Sequence, residues 1–248
     1  MNPNNIMPGD IYQTKEGGSV AVVEYRGCYE ILIEHQDENR HQTAVQMSRL
    51  RSGQIKNPYR KSIYGVGFIG AGNFLAHENG KASPAYTSWR QMIQRSYYPN
   101  YHARHPTYLG VTVCPEWLNF QNYALWWTNE PNSNSKDYHL DKDLKADGNK
   151  EYSPRTCSFV PVLINTFLTC SGSTRGSLPQ GVRAQGDAFQ ASLDVKGNRV
   201  YLGTYKTPDQ AGQAYREAKE KSVKLMAEEW KSHLHVDVYN RLKVWRLV

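Results

Sequence analysis

The chain of 248 residues carries 30 Lys and Arg against 23 Asp and Glu, a formal charge of +7, and its mean hydropathy is −0.69. It has no stretch of about 18 apolar residues, which excludes a long apolar helix that spans a membrane. The opening segment "MNPNNIMPGD" lacks the apolar run of a signal peptide, so we expect a protein that is not secreted. The basic excess favours a polyanionic partner, because each neutralised phosphate releases condensed counterions.

Length and aromatic content predict several small domains rather than one large domain. The six Trp, 17 Tyr and six Phe supply large rings around which small cores can form. We expect a β-rich N-terminal domain at 1–58, a central domain at 59–175 and a C-terminal domain at 176–248. The charge excess lies after the first domain, since 61–175 has eleven Lys and Arg against eight acids and 176–248 has twelve against eight.

The four cysteines, Cys28, Cys114, Cys157 and Cys170, are far apart in the sequence. They form no CxxC pair that would hold zinc and no dense disulfide spacing. Free thiols in a reducing cytosol are therefore expected.

The N-terminal segment, residues 8–52, alternates apolar and polar residues, most clearly in "YEILIEH". The groups "EGG" and "DENR" are turn signals, so four short strands are expected. Their pattern predicts a small, half-open β-barrel, followed by a basic linker in "RSGQIKNPYRKS". Two interpretations of this unit remain open: a packing or adaptor module, or a unit that carries specificity or contacts a protein partner.

The stretch "GVGFIGAG", residues 65–72, contains the formal pattern of a dinucleotide-binding loop. That pattern needs a helix opening at its third glycine, and the following "AGNFLAHENGKASP" has no helical start, so we expect an ordinary loop. The first helix is predicted later, capped by Ser83 and begun by Pro84. A second helix is predicted in "EWLNFQNYALWWTN", with an aromatic stripe that indicates core.

The segment "YHLDKDLKADGNKEYSPRTCSFVPVLIN", residues 138–165, predicts a strand, a loop, a second strand and a helix opened by a proline. Alternation along the first strand places His139, Asp141 and Asp143 on one face. A histidine and two carboxylates on one face can bind a divalent ion and activate a water, and Asn165 on the helix can supply one more oxygen. The alternative interpretation is the polar surface of an ordinary hairpin.

The ββα order, the "GNKEYSP" turn, the "CSFV" strand and the helix asparagine resemble the HNH, or His-Me finger, nucleases of phage genomes. The resemblance implies a DNA endonuclease in which Asp141 is catalytic, and His139, two residues upstream on the same strand face, is expected to act as the catalytic base in place of the family's histidine. It also implies one Mg²⁺ or Mn²⁺ ion held by Asp141, Asp143 and Asn165, which stabilises the scissile phosphate and the leaving oxygen. The chain departs from the family at Lys142, which stands where the family has its histidine and is a poor general base at neutral pH.

The C-terminal "GVRAQGDAFQASLDVKGNRVYLGTYKTPDQAGQAYREAKEK" predicts three strands followed by an amphipathic helix. Turns are expected at Gly186-Asp187 and Gly197-Asn198, and Thr207 with Pro208 can begin the helix. The alanine and tyrosine stripe of this helix is expected to pack on one face of the sheet. The other face of the sheet is then free.

The order of "GVR", "RVYLGTY" and "TPDQAGQAY" resembles the AP2/ERF DNA-binding domain, whose small sheet lies in the major groove. By the family pattern Arg183, Arg199 and Tyr201 fall at contact positions, and Phe189 takes a place usually held by tryptophan. We also expect Lys206 to contact DNA. An arginine usual on the second strand is replaced here by Asp194, so the base preference of the family does not transfer to this chain.

Taken together, these predictions describe an α+β protein. It would have a β-barrel-like N-terminal unit, a central ββα unit and a C-terminal three-stranded sheet with a packed helix. The predicted function is a sequence-directed, metal-dependent endonuclease that acts on double-stranded DNA in the cytoplasm of a bacterial host cell, at the nucleoid, with no membrane association. The alternative is a catalytically inactive DNA-binding regulator or host-takeover factor. The tail "AEEWKSHLHVDVYNRLKVWRLV" either extends the helix or adds an aromatic strand.

Overall fold

The computed structural model describes residues 5–146, 148–169 and 177–247. Over these residues the protein is a mixed α/β structure with seven α-helices and five small sheets. It divides into an N-terminal unit, Met1–Phe74 with Leu118–Gln121, and a main unit, Leu75–Trp117 with Asn122–Val248. The division into three domains stays a prediction, and its boundary at 175/176 and the thiol of Cys170 lie outside the described residues.

The N-terminal unit contains an open four-stranded antiparallel sheet, and no barrel-like closure is found among its described residues. The strands, in sheet order, are β1 Ile11–Gln13, β2 Ser19–Tyr25, β3 Ile31–His35 and β4 Gln42–Val45. After β4 the chain forms a short helix, α1 at Met47–Ser52, where the sequence predicted a continued strand. Leu50 of α1 and Ile55 are buried with Val20 and Ile31 of the sheet. A helix and its following segment therefore bury the apolar face of the sheet, which corrects the barrel prediction.

The glycine-rich stretch at 65–72 is a loop, as predicted, and its last glycine permits a close approach to a side chain. A Cβ built on Gly72 would lie 2.3 Å from Gln121 Oε1. The Gln121 amide accepts the N–H of Phe74 at 3.0 Å and donates to the Phe74 carbonyl at 3.0 Å. The loop is thus fixed by packing and hydrogen bonds within the N-terminal unit.

The first part of the main unit is built around tryptophans. The elements of this part are β5 His77–Glu78, β6 Lys81–Ala82, α2 Pro84–Tyr97, α3 Pro99–Arg104, β7 Thr112–Val113 and α4 Phe120–Asn129. The helix α2 begins as predicted, because Ser83 Oγ accepts the N–H of Tyr86 at 3.3 Å. Trp89 is fully buried, and its Nε1 donates to the carbonyl of Trp117 at 2.6 Å. These contacts confirm that the aromatic stripes are core.

A hairpin followed by a helix occupies the segment predicted as ββα. Its elements are β8 Tyr138–Asp141, β9 Glu151–Tyr152, β10 Ser158–Pro161 and α5 Val162–Leu168. Strand β10 pairs antiparallel with β8, with His139 opposite Val160, and β9 pairs parallel with β7. Strand β8 is shorter than predicted, because Asp141 Oδ1 accepts the N–H groups of Asp143 at 2.9 Å and Leu144 at 2.8 Å and turns the chain.

The C-terminal part forms the predicted three-stranded antiparallel sheet and helix. Its elements are β11 Val182–Gln185, β12 Ala188–Val195, β13 Asn198–Tyr205, α6 Pro208–Glu229 and α7 Val236–Val244. Thr207 Oγ1 accepts the N–H of Gln210 at 3.2 Å, as expected for a helix cap. The second turn consists of Lys196-Gly197, one residue earlier than predicted, because Val195 pairs with Asn198.

One hydrophobic core joins the hairpin segment to the C-terminal helices. Leu144 and Ile164 are buried in the same cluster as Val223 and Met226 of α6 and Leu242 of α7. The tail is thus resolved as a second helix that contributes to this core, and neither of the two forms predicted from the sequence is correct. In the part of the chain that is described, no helix is both long enough and apolar enough to cross a membrane.

Candidate functional site

Three of the predicted DNA contacts lie on one face of the C-terminal sheet. Arg183, Tyr201 and Arg199 lie opposite positions 190, 192 and 194 of the central strand β12. The intervening positions Ala191 and Leu193 are buried, and α6 packs against this sheet. Because side chains alternate along a strand, the two arginines and the tyrosine share the face that α6 leaves open. We call this the outer face.

Phe189 and Lys206 lie outside this arrangement. Phe189 pairs with Ala184 and Tyr205, is half-buried, and has the same strand parity as the buried Ala191. It therefore belongs to the helix-facing side of the sheet, and the structure does not bring it to the outer face. Lys206 is exposed and follows the last residue of β13, at the end of the sheet.

Arg199 is held by Asp194, the residue that departs from the family pattern. Its Nε donates to Asp194 Oδ1 at 2.9 Å and its Nη2 to Oδ2 at 2.8 Å. This pairing holds the pKa of Asp194 below its usual value. Both side chains are more than half exposed, at 69% for the arginine and 59% for the aspartate. The carboxylate orients the guanidinium, and it also places a negative charge on a face proposed to meet a polyanion.

The other two groups of the outer face are oriented by neighbouring side chains. Arg183 Nε donates to Gln190 Oε1 across the β11–β12 pair. The hydroxyl of Tyr201 lies 2.8 Å from Thr204 Oγ1, and the residue is 58% exposed. The outer face therefore presents oriented polar groups with no carboxylate other than that of Asp194 among the described strand residues on this face.

Three of the four predicted nuclease residues line one cleft of about 340 Å³ in the main unit. Asp141 and Asp143 come from the end of β8 and the turn after it, and Asn165 comes from α5. We call this the acid cleft. Its other polar lining residues are Arg95, Tyr108, Lys142, Tyr152, Thr169 and Arg241.

Asp141 is fixed by hydrogen bonds and partly buried. One of its oxygens, Oδ1, accepts hydrogen bonds from the backbone N–H groups of Asp143 and Leu144. The second oxygen, Oδ2, can therefore interact with another partner. Burial raises the pKa of this carboxyl above its usual value, since the charged form loses hydration, and the two backbone hydrogen bonds oppose that rise. A cation near Asp141 would offset the same desolvation.

Lys142 occupies the cleft as well, although its position in the sequence predicted the opposite side of a strand. Its side chain is buried, and its Nζ lies 2.5 Å from Asp143 Oδ1 and 3.1 Å from the carbonyl of Asn149. The turn made by Asp141 ends the strand alternation, and this allows Lys142 to reach the acids. The cleft thus already contains one positive charge next to Asp143.

His139 is the predicted residue that the structure does not bring to the acid cleft. It is exposed on β8, and it is missing from the described residues that line the cleft. Although alternation places it on the same strand face as Asp141, it lies on the exposed side of the hairpin and outside the lining of the cleft.

The donor set of the acid cleft fits a hard divalent cation by its chemistry. The described residues contain no group of three or more His, Cys, Asp or Glu placed to hold a metal ion. Two carboxylates and the Asn165 amide are nevertheless oxygen donors, the type that Mg²⁺ and Mn²⁺ prefer, and Mg²⁺ commonly keeps waters in its remaining positions. The ammonium of Lys142 competes with such an ion for Asp143.

The sequence did not indicate the two arginines of the cleft. The guanidinium carbon of Arg95 lies 5.7 Å from the centre of the Tyr152 ring, and Nε donates to the carbonyl of Gln91 at 3.3 Å. Arg241 reaches the same cleft from α7. Both are far from residues 138–165 in the chain, so only the fold reveals them.

Comparison with known protein families, with curated proteins and with solved structures finds no match to this chain.

Proposed function

We propose that this protein binds double-stranded DNA through the outer face and hydrolyses a phosphodiester of that DNA in the acid cleft with one divalent cation, Mg²⁺ or Mn²⁺. The observation that carries the proposal is the presence, in one compact unit, of an exposed face with two arginines and of a cleft with two carboxylates, an amide and two further arginines. The resemblances to HNH nucleases and AP2/ERF domains support the same assignment.

The outer face suits a DNA groove. A small antiparallel sheet can enter the major groove, where arginine recognises guanine through two parallel hydrogen bonds. Arg183 and Arg199 would read bases or contact phosphates, and Tyr201 would contact the sugar-phosphate backbone. Lys206, at the end of the sheet, would add a phosphate contact.

The acid cleft supplies the groups that hydrolysis needs. Asp141, Asp143 and Asn165 would hold the cation, which polarises the phosphate and lowers the pKa of a bound water. Arg95 and Arg241 would orient the phosphate oxygens by charge-assisted hydrogen bonds. An imidazole nitrogen of His139, at the edge of the hairpin, is the proposed acceptor of the water proton. A cleft that contacts backbone phosphate cannot specify sequence by itself. The outer face would therefore recognise the sequence, and the acid cleft would carry out the hydrolysis.

A second function, DNA binding without cleavage, is favoured by the position of Lys142. Its ammonium is ion-paired with Asp143, and His139 lies outside the lining of the cleft. In this alternative Lys142 neutralises the acid permanently, no metal ion binds, and the protein acts as a regulator or host-takeover factor.

The test is a plasmid-nicking assay with Mg²⁺ or Mn²⁺, comparing the wild-type protein with Asp141→Asn and His139→Gln. An asparagine at 141 keeps an oxygen for the two backbone N–H groups, so the turn is retained while the charge is lost. The matched control is Asp137→Asn, which removes an exposed carboxylate just before β8. We expect Asp141→Asn to abolish metal-dependent nicking and His139→Gln to slow it by about 10²–10⁴-fold, as for loss of a general base.

Two results distinguish the functions. Nicks that persist in Asp141→Asn would contradict hydrolysis in the acid cleft. Gel shifts of duplex DNA without nicks under either metal, in the wild-type protein and in Lys142→Met alike, would establish the second function instead.

The N-terminal unit is proposed as the contact for a protein partner, and the site of action as the bacterial host cytoplasm. An open sheet edge can accept a strand from another protein. Deletion of residues 1–58 would then leave duplex affinity unchanged while removing the partner.

A further inference from the structure

Helix α5 lies between two clefts of the main unit. Val162, Leu163 and Thr166 line a second cleft of about 820 Å³, which also contains residues of the outer face and its edge. Asn165 and Leu168 line the acid cleft. With 3.6 residues per turn, these two sets of side chains point about 140° apart on the helix. The acid cleft and the sheet are therefore separated by about one helix diameter.

The second cleft reaches the arginines proposed to contact DNA. We call it the sheet cleft, and its outer-face lining residues are Arg183, Ser192, Asp194 and Arg199. Thr169, just after α5, lines both the sheet cleft and the acid cleft. The two clefts thus share one residue at the end of α5, while the side chains of α5 that line only one of them lie on different sides of this helix.

Packing fixes the position of α5 relative to the sheet. Ile164, on the third side of the helix, is 1% exposed and lies in one core cluster with Val223 and Met226 of α6. The same helix α6 carries Ala211 and Tyr215, which are buried, and packs on the sheet. A close-packed core of this kind is nearly incompressible, so it holds α5 at a fixed position relative to α6 and the sheet.

Helix α7 links the two surfaces a second time. Leu242 is fully buried in the core cluster that includes Val223 of α6. On the same helix, Arg241 and the following Trp245 line the acid cleft. The acid cleft is therefore partly built by the C-terminal helices, and cannot swing away from the sheet without opening the shared core.

We propose that α5 and this shared core fix the register of the DNA, so that the acid cleft meets the duplex at one constant, short offset from the bases held by the outer face. The proposal rests on the DNA binding proposed above, and it adds the position of attack. A helix with its side chains is about 10–12 Å across. Since a duplex rises 3.4 Å per base pair, the offset is about three to four base pairs and stays within half a helical turn.

The test uses an iron–EDTA chelate attached to a cysteine in the acid cleft of the full chain. Cys28, which is exposed, and Cys170 are first replaced by serine, while the buried Cys114 and Cys157 stay. The chelate is attached in Asp143→Cys and, separately, in Arg241→Cys, because these positions line the same cleft from two different elements. The probe is a duplex selected for binding from a random library, and guanines in contact with the sheet are located by protection from methylation at N7.

We expect hydroxyl-radical scission from both positions in one narrow window, about three to five base pairs from the protected guanines. The two chelate positions are expected to agree within about two base pairs, because one cleft holds both. All reactions are run without added divalent metal, and the same protein without the chelate is the control and should give no scission.

Other outcomes overturn the proposal in distinguishable ways. Scission spread evenly along the duplex, or a window beyond half a helical turn, with methylation protection intact, would refute the fixed offset and leave DNA binding standing. Absence of any gel shift would refute DNA binding itself and the offset with it. Because the chelate supplies the cleavage, the test works whether or not the acid cleft is hydrolytically active.

Discussion

Removal of the Asp194 charge should strengthen DNA binding. Asp194 is paired with Arg199 through two hydrogen bonds on the outer face. A phosphate or guanine edge on the far side of the guanidinium would lie about 6 Å from the carboxylate. At the dielectric of an exposed site, repulsion of a phosphate at this distance is about 0.7 kcal/mol, which corresponds to about a threefold change in affinity.

The substitution to test is Asp194→Asn, because asparagine can still accept a hydrogen bond from Arg199. The assay is fluorescence anisotropy of a labelled duplex, titrated at 50 and 200 mM salt. We expect about threefold tighter binding at the lower salt and a smaller gain at the higher, since salt screens exposed charges. Asp209→Asn, in the first turn of α6, changes the net charge equally and should leave affinity unaltered.

Unchanged or weaker binding of Asp194→Asn would refute the placement of DNA on the outer face. An equal gain in Asp209→Asn would show that net charge alone is responsible.

Three further predictions concern the two faces of the sheet and the stability of both units. Arg183→Ala should weaken duplex binding by about 1–3 kcal/mol if bases are read, whereas Phe189→Leu, on the helix-facing side, should leave affinity unchanged; an equal loss in both would contradict the assignment of faces. Chemical denaturation should show that Gly181→Ala lowers the free energy of unfolding of the main unit by about 2 kcal/mol or more, because the φ of Gly181 is +74° and an added Cβ would lie 2.0 Å from the Tyr215 ring. Gly186 has φ +59° but no atom near the position of an added Cβ, so Gly186→Ala should lower it by only about 1–2 kcal/mol. Burial lowers the pKa of His35, whose Nε2 lacks a partner among the described residues. As the pH drops below about 6.5 the unfolded chain protonates this imidazole before the folded protein does, so the free energy of unfolding should fall. Between pH 7.5 and 5 the Tm of His35→Phe should therefore decrease less than the Tm of the wild-type protein, and equal decreases would exclude this role.

Local signals in the sequence predicted the start of helices and the C-terminal sheet correctly. Ser83 and Thr207 cap helices through the expected hydrogen bonds. Two glycine turns and alternating strands gave the three-stranded sheet, with one turn displaced by one residue. These features depend on neighbouring residues, which is why the sequence contains them.

Features that depend on tertiary packing were not predictable. The helix α1 replaced a predicted strand because Leu50 covers the sheet. Alternation along a longer strand predicted that the side chain of Asp143 lies on the same face as that of His139, and that the side chain of Lys142 lies on the opposite face. The turn formed by Asp141 ends that alternation, so Lys142 enters the cleft. His139 precedes this turn, stays exposed on β8 and does not line the cleft.

The most distant contributions were invisible in the sequence. Arg95 and Arg241 lie in helices before and after the hairpin, and no local pattern connects them with the carboxylates. The tail had no clear periodicity, yet Leu242 is fully buried in the core that joins hairpin and sheet. Only the folded chain shows that the acid cleft and the outer face share one scaffold.

The most direct test of the account is the affinity of the full chain for a selected duplex, measured by anisotropy for wild type and for the double variant Arg183→Ala, Arg199→Ala. We expect salt-dependent binding by the wild-type protein and a loss of about 2–6 kcal/mol in the double variant, if each arginine contributes about 1–3 kcal/mol. Circular dichroism and thermal unfolding should be unchanged, because both side chains are exposed. Equal affinity of the two proteins, or no binding by the wild type, would contradict the claim that the outer face holds DNA.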